Sequence, residues 1–335
     1  MIKERLSTNR EDTPNEEIQA IFDSLKKEFR KNTTLDIKFR KTQLKNIKAG
    51  LVKHEAEIAD ALGKDLGANT FDAYLGANIS WDAEIDIALK ELDDWVKPRD
   101  KRTPVAMYPG KSYIKPQPKG VSLVISSWNY PFATMVPFIS AIAAGNAVVM
   151  KPSEFAPETS IIMKKLCDEF LDQRLYRVIE GGVETGKKLT SLPFDVICFT
   201  GSTYVGKIIA RAASANLTPC ILELGGKCPT VVDHSSNLDL AAARIVSLKF
   251  INAGQTCIAP DFIFVHSKIK QKFIERVKAK IEEYYTNQPA TCGNYSRLIH
   301  GVHAKRVAEL LRGNESKVVH GDVNQIDTEA RFITL

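Results

Sequence analysis

Cys257 lies in Gly254-Gln255-Thr256-Cys257-Ile258-Ala259-Pro260, a loop bounded by glycine and proline where packing into a core is not the default for a thiol. The thiol is the most intrinsically nucleophilic side chain, with a few per cent already thiolate near neutral pH. For the other five cysteines (Cys167, Cys198, Cys220, Cys228 and Cys292) core packing is the plainer reading. Thirty-four residues before Cys257, Glu223 opens Glu223-Leu224-Gly225-Gly226-Lys227, and a carboxylate beside two glycines could serve as a general base on mobile backbone. Alone, it is a turn with a surface glutamate. Asn129, in Ser126-Ser127-Trp128-Asn129-Tyr130-Pro131, is an amide in a tight, proline-bounded turn, suited to stabilising an oxyanion. Alone, it is an ordinary Asx-turn. None of the six histidines (His54, His234, His266, His300, His303, His320) is near these loops in sequence, so a Cys/His hydrolase has no local support. His300 and His303 are spaced for one helix face, better read as solvated than as a metal pair.

Two further segments suit a nucleotide. Lys151-Pro152-Ser153-Glu154 could hold two ribose hydroxyls through charge-assisted bonds, although alone it is a Ser-capped helix start. Thr200-Gly201-Ser202-Thr203-Tyr204-Val205-Gly206-Lys207 is a glycine-containing turn opening a helix, whose N–H groups would receive a pyrophosphate while Gly201 lets it approach. The P-loop spacing is nearly present, but Ile208 stands where Ser or Thr must ligate magnesium. The near miss favours a dinucleotide over a nucleoside triphosphate.

These segments need strands and helices to position them. Strands are predicted at 121–125, 147–150, 176–179, 195–199 and 219–223, with helices such as 157–171 and 203–215 between them: a doubly wound parallel sheet, with ligands at the strands' carboxyl ends. The uncharged stretch from Gly120 to Met150 is broken by Asn129, Pro131 and Pro137, so it reads as a buried βαβ unit and not a membrane span. The first hundred residues read as helix. Thr13-Pro14-Asn15-Glu16 offers an N-cap, and Leu44, Ile47, Leu51, His54 and Ile58 continue the helical spacing. Between Lys97 and Lys119 seven basic residues face one acidic residue, a local excess of +6, and five prolines suit an extended arm. It reads as a solvated connector or as an arm that meets an acidic patch on another subunit. A second region follows, with a helix at 239–252, a strand at 262–265 and a helix at 268–285. Arg331 to Leu335 has a strand-like pattern, either a short edge strand or a cut inside a domain, the cut being favoured.

Composition excludes several function classes. The chain has 335 residues, 26% charged and 44% hydrophobic, with net charge +6. That length allows about two domains at roughly 150 residues each. The charge is modest and lacks the basic stripe of a nucleic-acid binder. The opening residues carry no apolar signal segment, and the cysteines form no CxxC pair, so neither a zinc site nor a disulfide framework is suggested. The reading is a reducing, cytoplasmic setting.

Together these segments resemble the aldehyde dehydrogenase superfamily. The matching pieces are Trp128-Asn129-Tyr130-Pro131, Gly145-Asn146-Ala147-Val148-Val149-Met150-Lys151-Pro152-Ser153-Glu154, Phe199-Thr200-Gly201-Ser202, Glu223-Leu224-Gly225-Gly226-Lys227 and Gly254-Gln255-Thr256-Cys257, in the family's order. Trp-Asn-Tyr-Pro, Leu217-Thr218-Pro219 and Cys257-Ile258-Ala259-Pro260-Asp261 look like the class 3 branch, which includes fatty aldehyde dehydrogenases. The resemblance implies an α/β fold with a Rossmann-like NAD(P)-binding domain at 1–98 and 119–224, a bridging arm at 99–118, and a catalytic domain, incomplete here, at 225–335. It implies that Cys257 adds to an aldehyde carbonyl, that Asn129 and the Cys257 backbone N–H hold the oxyanion, that hydride leaves for the nicotinamide, and that Glu223 activates water to hydrolyse the thioester. Lys151 and Glu154 would bind the adenine ribose, and Gly201, Ser202 and Gly206 would border the pyrophosphate. Trp128 and Gly225 belong on the cofactor side as well.

The implied cofactor is NAD, with NADP as the alternative; the partners are a small aldehyde and, at full length, a second copy. Three departures stand out: Cys228 follows Gly-Gly-Lys, Phe262 replaces a tyrosine, and the family's downstream Glu-x-Phe-Gly-Pro motif is missing. The expectation is therefore a chain truncated at its carboxyl end, without any membrane tail of the fatty aldehyde type. The alternative function is a catalytically silent nucleotide-binding or assembly fragment.

Overall fold

The computed structural model describes residues 11–69, 72–73, 80–286, 288–322 and 325–333. Among the described residues the chain begins with the helices α1 (Asn15–Phe29), α2 (Ile37–Lys53), α3 (Glu55–Leu66) and α4 (Ser80–Trp95). Thr13 does not cap α1 as its sequence context suggests. Its hydroxyl donates to the Glu180 carbonyl at 2.6 Å, and its N–H to Thr185 Oγ1 at 3.0 Å, so it pins the chain to a distant turn. The predicted run through His54 also breaks. α2 ends at Lys53 because the buried His54 leaves the helical path, and its ring lies between Glu57 (2.8 Å) and Glu169 (3.0 Å). Tertiary polar contacts override a continuous 3.6-residue period there.

The arm is a hairpin, β1 (Arg99–Lys101) antiparallel to β2 (Ser112–Ile114). It leads into β3 (Val121–Ile125), α5 (Val136–Ala143), β4 (Ala147–Lys151), α6 (Pro157–Phe170), β5 (Tyr176–Val178), α7 (Val183–Ser191), β6 (Val196–Gly201), α8 (Thr203–Ser214) and β7 (Cys220–Leu224). These strands form one parallel sheet in the order β5-β4-β3-β6-β7, the doubly wound arrangement expected. Every residue of β3 and β4 is buried, as helices on both faces require, so the uncharged stretch is indeed a βαβ unit. The start of α6 is capped from afar by Asp65 of α3, which accepts from Thr159 N at 2.8 Å and Glu158 N at 3.3 Å, while Ser153 bonds only its local turn.

The second region is β8 (Cys228–Val232), α9 (Leu238–Phe250), β9 (Pro260–Val265), α10 (Lys270–Tyr285) and α11 (Gly301–Leu311). β8 and β9 make a separate two-stranded parallel sheet. Its inner face packs on Ala242, Ile245 and Phe273 of α9 and α10. The expected strand at 331–335 is reduced to one bridge, Asp327 to Phe332. Arg331 has φ +58°, and its guanidinium donates to the Asp65 carbonyl at 2.6 Å, which turns the chain; residues 334 and 335 lie outside the described set.

Candidate active site

Because the large sheet is parallel, Ser126, Lys151, Gly201 and Leu224 all emerge at one edge. Lys151 is buried, and its ammonium meets Glu154 Oε2 at 3.1 Å, so the sequence-predicted pair is assembled at the end of β4. At the end of β6, Ser202 caps α8 by accepting from Val205 N at 3.2 Å. The N–H groups of Thr203 and Tyr204, in the exposed first turn of α8, have no acceptor within the helix. The two glycines also meet a packing requirement. A Cβ on Gly206 would lie 2.8 Å from Leu224 Cδ2, and one on Gly201 would lie 2.4 Å from the Phe199 ring. They let α8 and its entry turn close on the sheet. Gly225 does face open space, with nothing within 4 Å of an added Cβ. A buried lysine paired with a half-buried carboxylate, together with helix-start N–H groups on the same sheet edge, makes a donor set that fits a dinucleotide.

The thiol loop is built by an abrupt end to α9. Asn252 and Ala253 adopt φ of 53° and 51°, which reverses the chain into Gly254; asparagine tolerates this conformation better than most residues. Hydrogen bonds then stitch the loop to the Asn129 turn. Asn252 Nδ2 donates to the Asn129 carbonyl at 2.7 Å. Asn129 Nδ2 donates to the Gln255 carbonyl at 2.8 Å, and its Oδ1 accepts from the Ser127 hydroxyl at 2.5 Å. Tyr130 OH and Thr256 Oγ1 lie 2.7 Å apart. Burial pushes the Tyr130 hydroxyl pKa up, opposed by the Thr256 bond and reinforced by Asp72 and Cys257. Gln255 anchors the far side: its amide donates to the carbonyls of Asn252 (2.9 Å) and Arg297 (3.0 Å) and accepts from Ile299 N at 2.9 Å. Cys257 is left exposed, two residues past the carbonyl that Asn129 grips. The Asn129 amide has two N–H donors, and that carbonyl takes one of them.

Asn129 and Cys257 are thus brought together, whereas Glu223 stands apart. It is exposed on β7, in register with Thr200. Burial raises the Cys198 thiol to about 11, and the Glu223 carboxylate adds to the rise. The link from Glu223 to the thiol is the strap Gly225-Gly226-Lys227. A Cβ on Gly226 would lie 3.1 Å from the Cys257 carbonyl oxygen, and Lys227 pairs with Asp261 just beyond the thiol loop. Three residues reach at most about 11 Å, so Glu223 lies within one short loop of the thiol backbone.

Sequence proximity misjudged the histidines. The His303 ring packs on Trp128 with centroids 4.9 Å apart and on Phe155 at 5.5 Å, and His300 caps α11. His303 closes over the Asn129 turn and over the neighbour of Glu154, whereas His300 is exposed, as the solvated reading expects. Trp128 is half-buried in this stack. Asn252, Gln255 and Tyr130 were not singled out from sequence. A hint lay in Gln255, an amide inside an otherwise small-residue loop. No cluster suited to a metal occurs among the described residues.

Residues 3–332 match the aldehyde dehydrogenase family. The chain belongs to that family. Among relatives of this aldehyde dehydrogenase chain, 4,4'-diaponeurosporen-aldehyde dehydrogenase of Staphylococcus aureus is 41% identical over 319 residues, which cover 94% of this chain and 68% of that protein. Aldehyde dehydrogenase family 3 member A2 of Pongo abelii is 40% identical over 298 residues, covering 89% of this chain and 61% of the relative. The family 3 match bears out the class 3 resemblance. Among solved structures, the substrate-bound state of Staphylococcus aureus AldH superposes with a TM-score of 0.90 at 41% identity, covering 95% of this chain and 69% of that one. The Rossmann-like α/β fold expected for an aldehyde dehydrogenase is therefore borne out. No helix among the described residues is long and apolar enough to cross a membrane.

Proposed function

We propose that this chain carries the NAD(P)-dependent oxidation of medium- or long-chain aliphatic or aromatic aldehydes to carboxylic acids, with residues 1–98 and 119–224 binding the cofactor, 99–118 forming an arm between subunits, and 225–335 supplying the nucleophile. The observation that carries this reading is the stitched junction of the Asn129 turn with the thiol loop, which holds an amide donor two residues from an exposed cysteine.

The Cys257 thiolate adds to the aldehyde carbon, and the carbonyl oxygen becomes an oxyanion. The second Asn129 N–H and the Cys257 backbone N–H meet that charge. Dipoles already fixed by Asn252 and Ser127 need little reorganisation as it develops. Addition makes the carbon tetrahedral and electron-rich, so that it can release hydride. When bound, the nicotinamide dinucleotide accepts that hydride; Lys151 and Glu154 would hold its ribose, and Ser202 with the first turn of α8 its pyrophosphate. Glu223, on its glycine strap, takes a proton from the water that hydrolyses the thioester.

The test is incubation of the purified chain with NAD and a medium-chain aldehyde while nicotinamide reduction is followed. Steady turnover is expected, with Glu223→Gln retaining a single burst and losing the steady phase. Nucleotide binding without turnover would instead support a silent nucleotide-binding fragment. That second reading draws on the 61% and 68% coverage of the two relatives.

A further inference from the structure

We propose that Cys228 is a resolving thiol for Cys257, so that oxidant converts the pair into a reversible disulfide. Cys228 follows Gly225-Gly226-Lys227 and opens β8 beside the head of β9. Its Sγ lies 3.5 Å from the Cys257 carbonyl oxygen. That oxygen is two bonds from the Cys257 Cα, so the Cys228 sulfur lies against the backbone of Cys257. The residue between them in space, Gly226, has no side chain to intervene; a Cβ there would crowd both the Cys257 oxygen (3.1 Å) and Cys228 Sγ (3.2 Å). Cys257 is exposed and Cys228 partly so, which gives oxidant and reductant access; Cys167 and Cys198 are buried.

The chemistry balances with hydrogen peroxide as oxidant. The Cys257 thiolate attacks the peroxide, an S–O bond forms, the O–O bond breaks and hydroxide leaves, giving a sulfenic acid. The Cys228 thiolate then attacks that sulfur; the S–S bond forms, the S–O bond breaks and a second hydroxide departs, and the two hydroxides take up the two protons the thiols gave up. Two thiols lose two electrons and one peroxide becomes two waters. The bridge spares Cys257 from the irreversible sulfinic acid, and a dithiol restores both thiols. Its effect on catalysis rests on the proposed function; its formation does not.

The full chain and its Cys228→Ser and Cys220→Ser variants are treated with excess hydrogen peroxide, enough to carry an unprotected thiol through sulfenic to sulfinic acid, then alkylated without reductant, digested and mapped by mass spectrometry. In the unaltered chain and in Cys220→Ser, the peptides bearing Cys228 and Cys257 are expected to be joined, two hydrogens lighter than the free pair, and released by dithiothreitol. In Cys228→Ser, the joined peptide is lost and Cys257 is recovered as sulfinic acid that dithiothreitol does not reverse. Equal sulfinic acid in all three proteins, or Cys257 joined to another cysteine or to a second chain, would overturn the proposal. Because the readout is a peptide mass, a bridge that forms in a chain without dehydrogenase turnover would remove the proposed function and leave this inference standing.

Discussion

The two parallel sheets bury their residues in opposite ways. β3 and β4 are buried at every position, sandwiched between helices, and join one apolar cluster that reaches from Ile18 to Ile299. β8 and β9 alternate: Val232, Ile263 and Val265 face the helices, while Val231, Phe262 and Phe264 face outward. The region read as the nucleotide site therefore has a frame fixed by packing. The thiol loop is held mainly by amide hydrogen bonds from Asn252, Gln255 and Asn129. A nucleophile must stay accessible, and a polar stitch fixes a backbone without covering it. The lesson is that stability and chemistry draw on different interactions in the two halves.

Breaking the frame should have the largest effect. Trp81 is fully buried, and its indole N–H donates to the Phe132 carbonyl at 2.5 Å. Trp81→Ala should lose about 3–5 kcal/mol in denaturant titration, the usual cost of deleting a large buried aromatic. Breaking the stitch comes next. Gln255→Ala removes three hydrogen bonds and should cost about 1–3 kcal/mol. Amide exchange should then speed up across residues 252–260 and stay slow in β3 and β4; equal acceleration in both would erase the contrast.

A smaller effect sits at the amino end. Asp12 accepts from Thr185 N, Thr185 Oγ1 and Gly182 N. Burial pushes its pKa up, but those bonds and the Lys151 cation outweigh it, so the net shift is downward. A depressed folded pKa gives stability that is fully present above the unfolded value and is lost as pH falls through the folded one. Asp12→Asn should lower the melting temperature slightly at neutral pH and flatten the acid limb below about pH 4. The smallest change should come from the uncovered sheet face, where Val231→Thr should shift stability within about 0.5 kcal/mol because Val231 is 73% exposed.

Much of this was legible in the residues. Continuous apolar runs located β3 and β4 to within a residue, because strands covered on both faces need nothing else. Cys257 stood out by its loop setting, whereas Asn129, Lys151 and Glu154 read alone as an Asx-turn and a capped helix start and gained weight only from the family resemblance. What escaped was set by distant partners. Asp65 caps α6 from a different helix, Thr13 serves the Glu180 turn instead of α1, and His303 reaches Trp128 across 174 intervening positions. Local pattern carries no term for such contacts. The Asn252 reversal escaped for a related reason: Asn129 and Gln255 hold it, and nothing within α9 announces it.

The central claim is a transient bond between Cys257 and the substrate carbon. The direct measurement is mass mapping of the Glu223→Gln chain quenched during reaction with NAD and a medium-chain aldehyde. An acyl group on the Cys257 peptide, absent from a Cys257→Ala, Glu223→Gln control, is the predicted result. Aldehyde oxidation with no acyl mass on that peptide, or undiminished oxidation by Cys257→Ala, would contradict it.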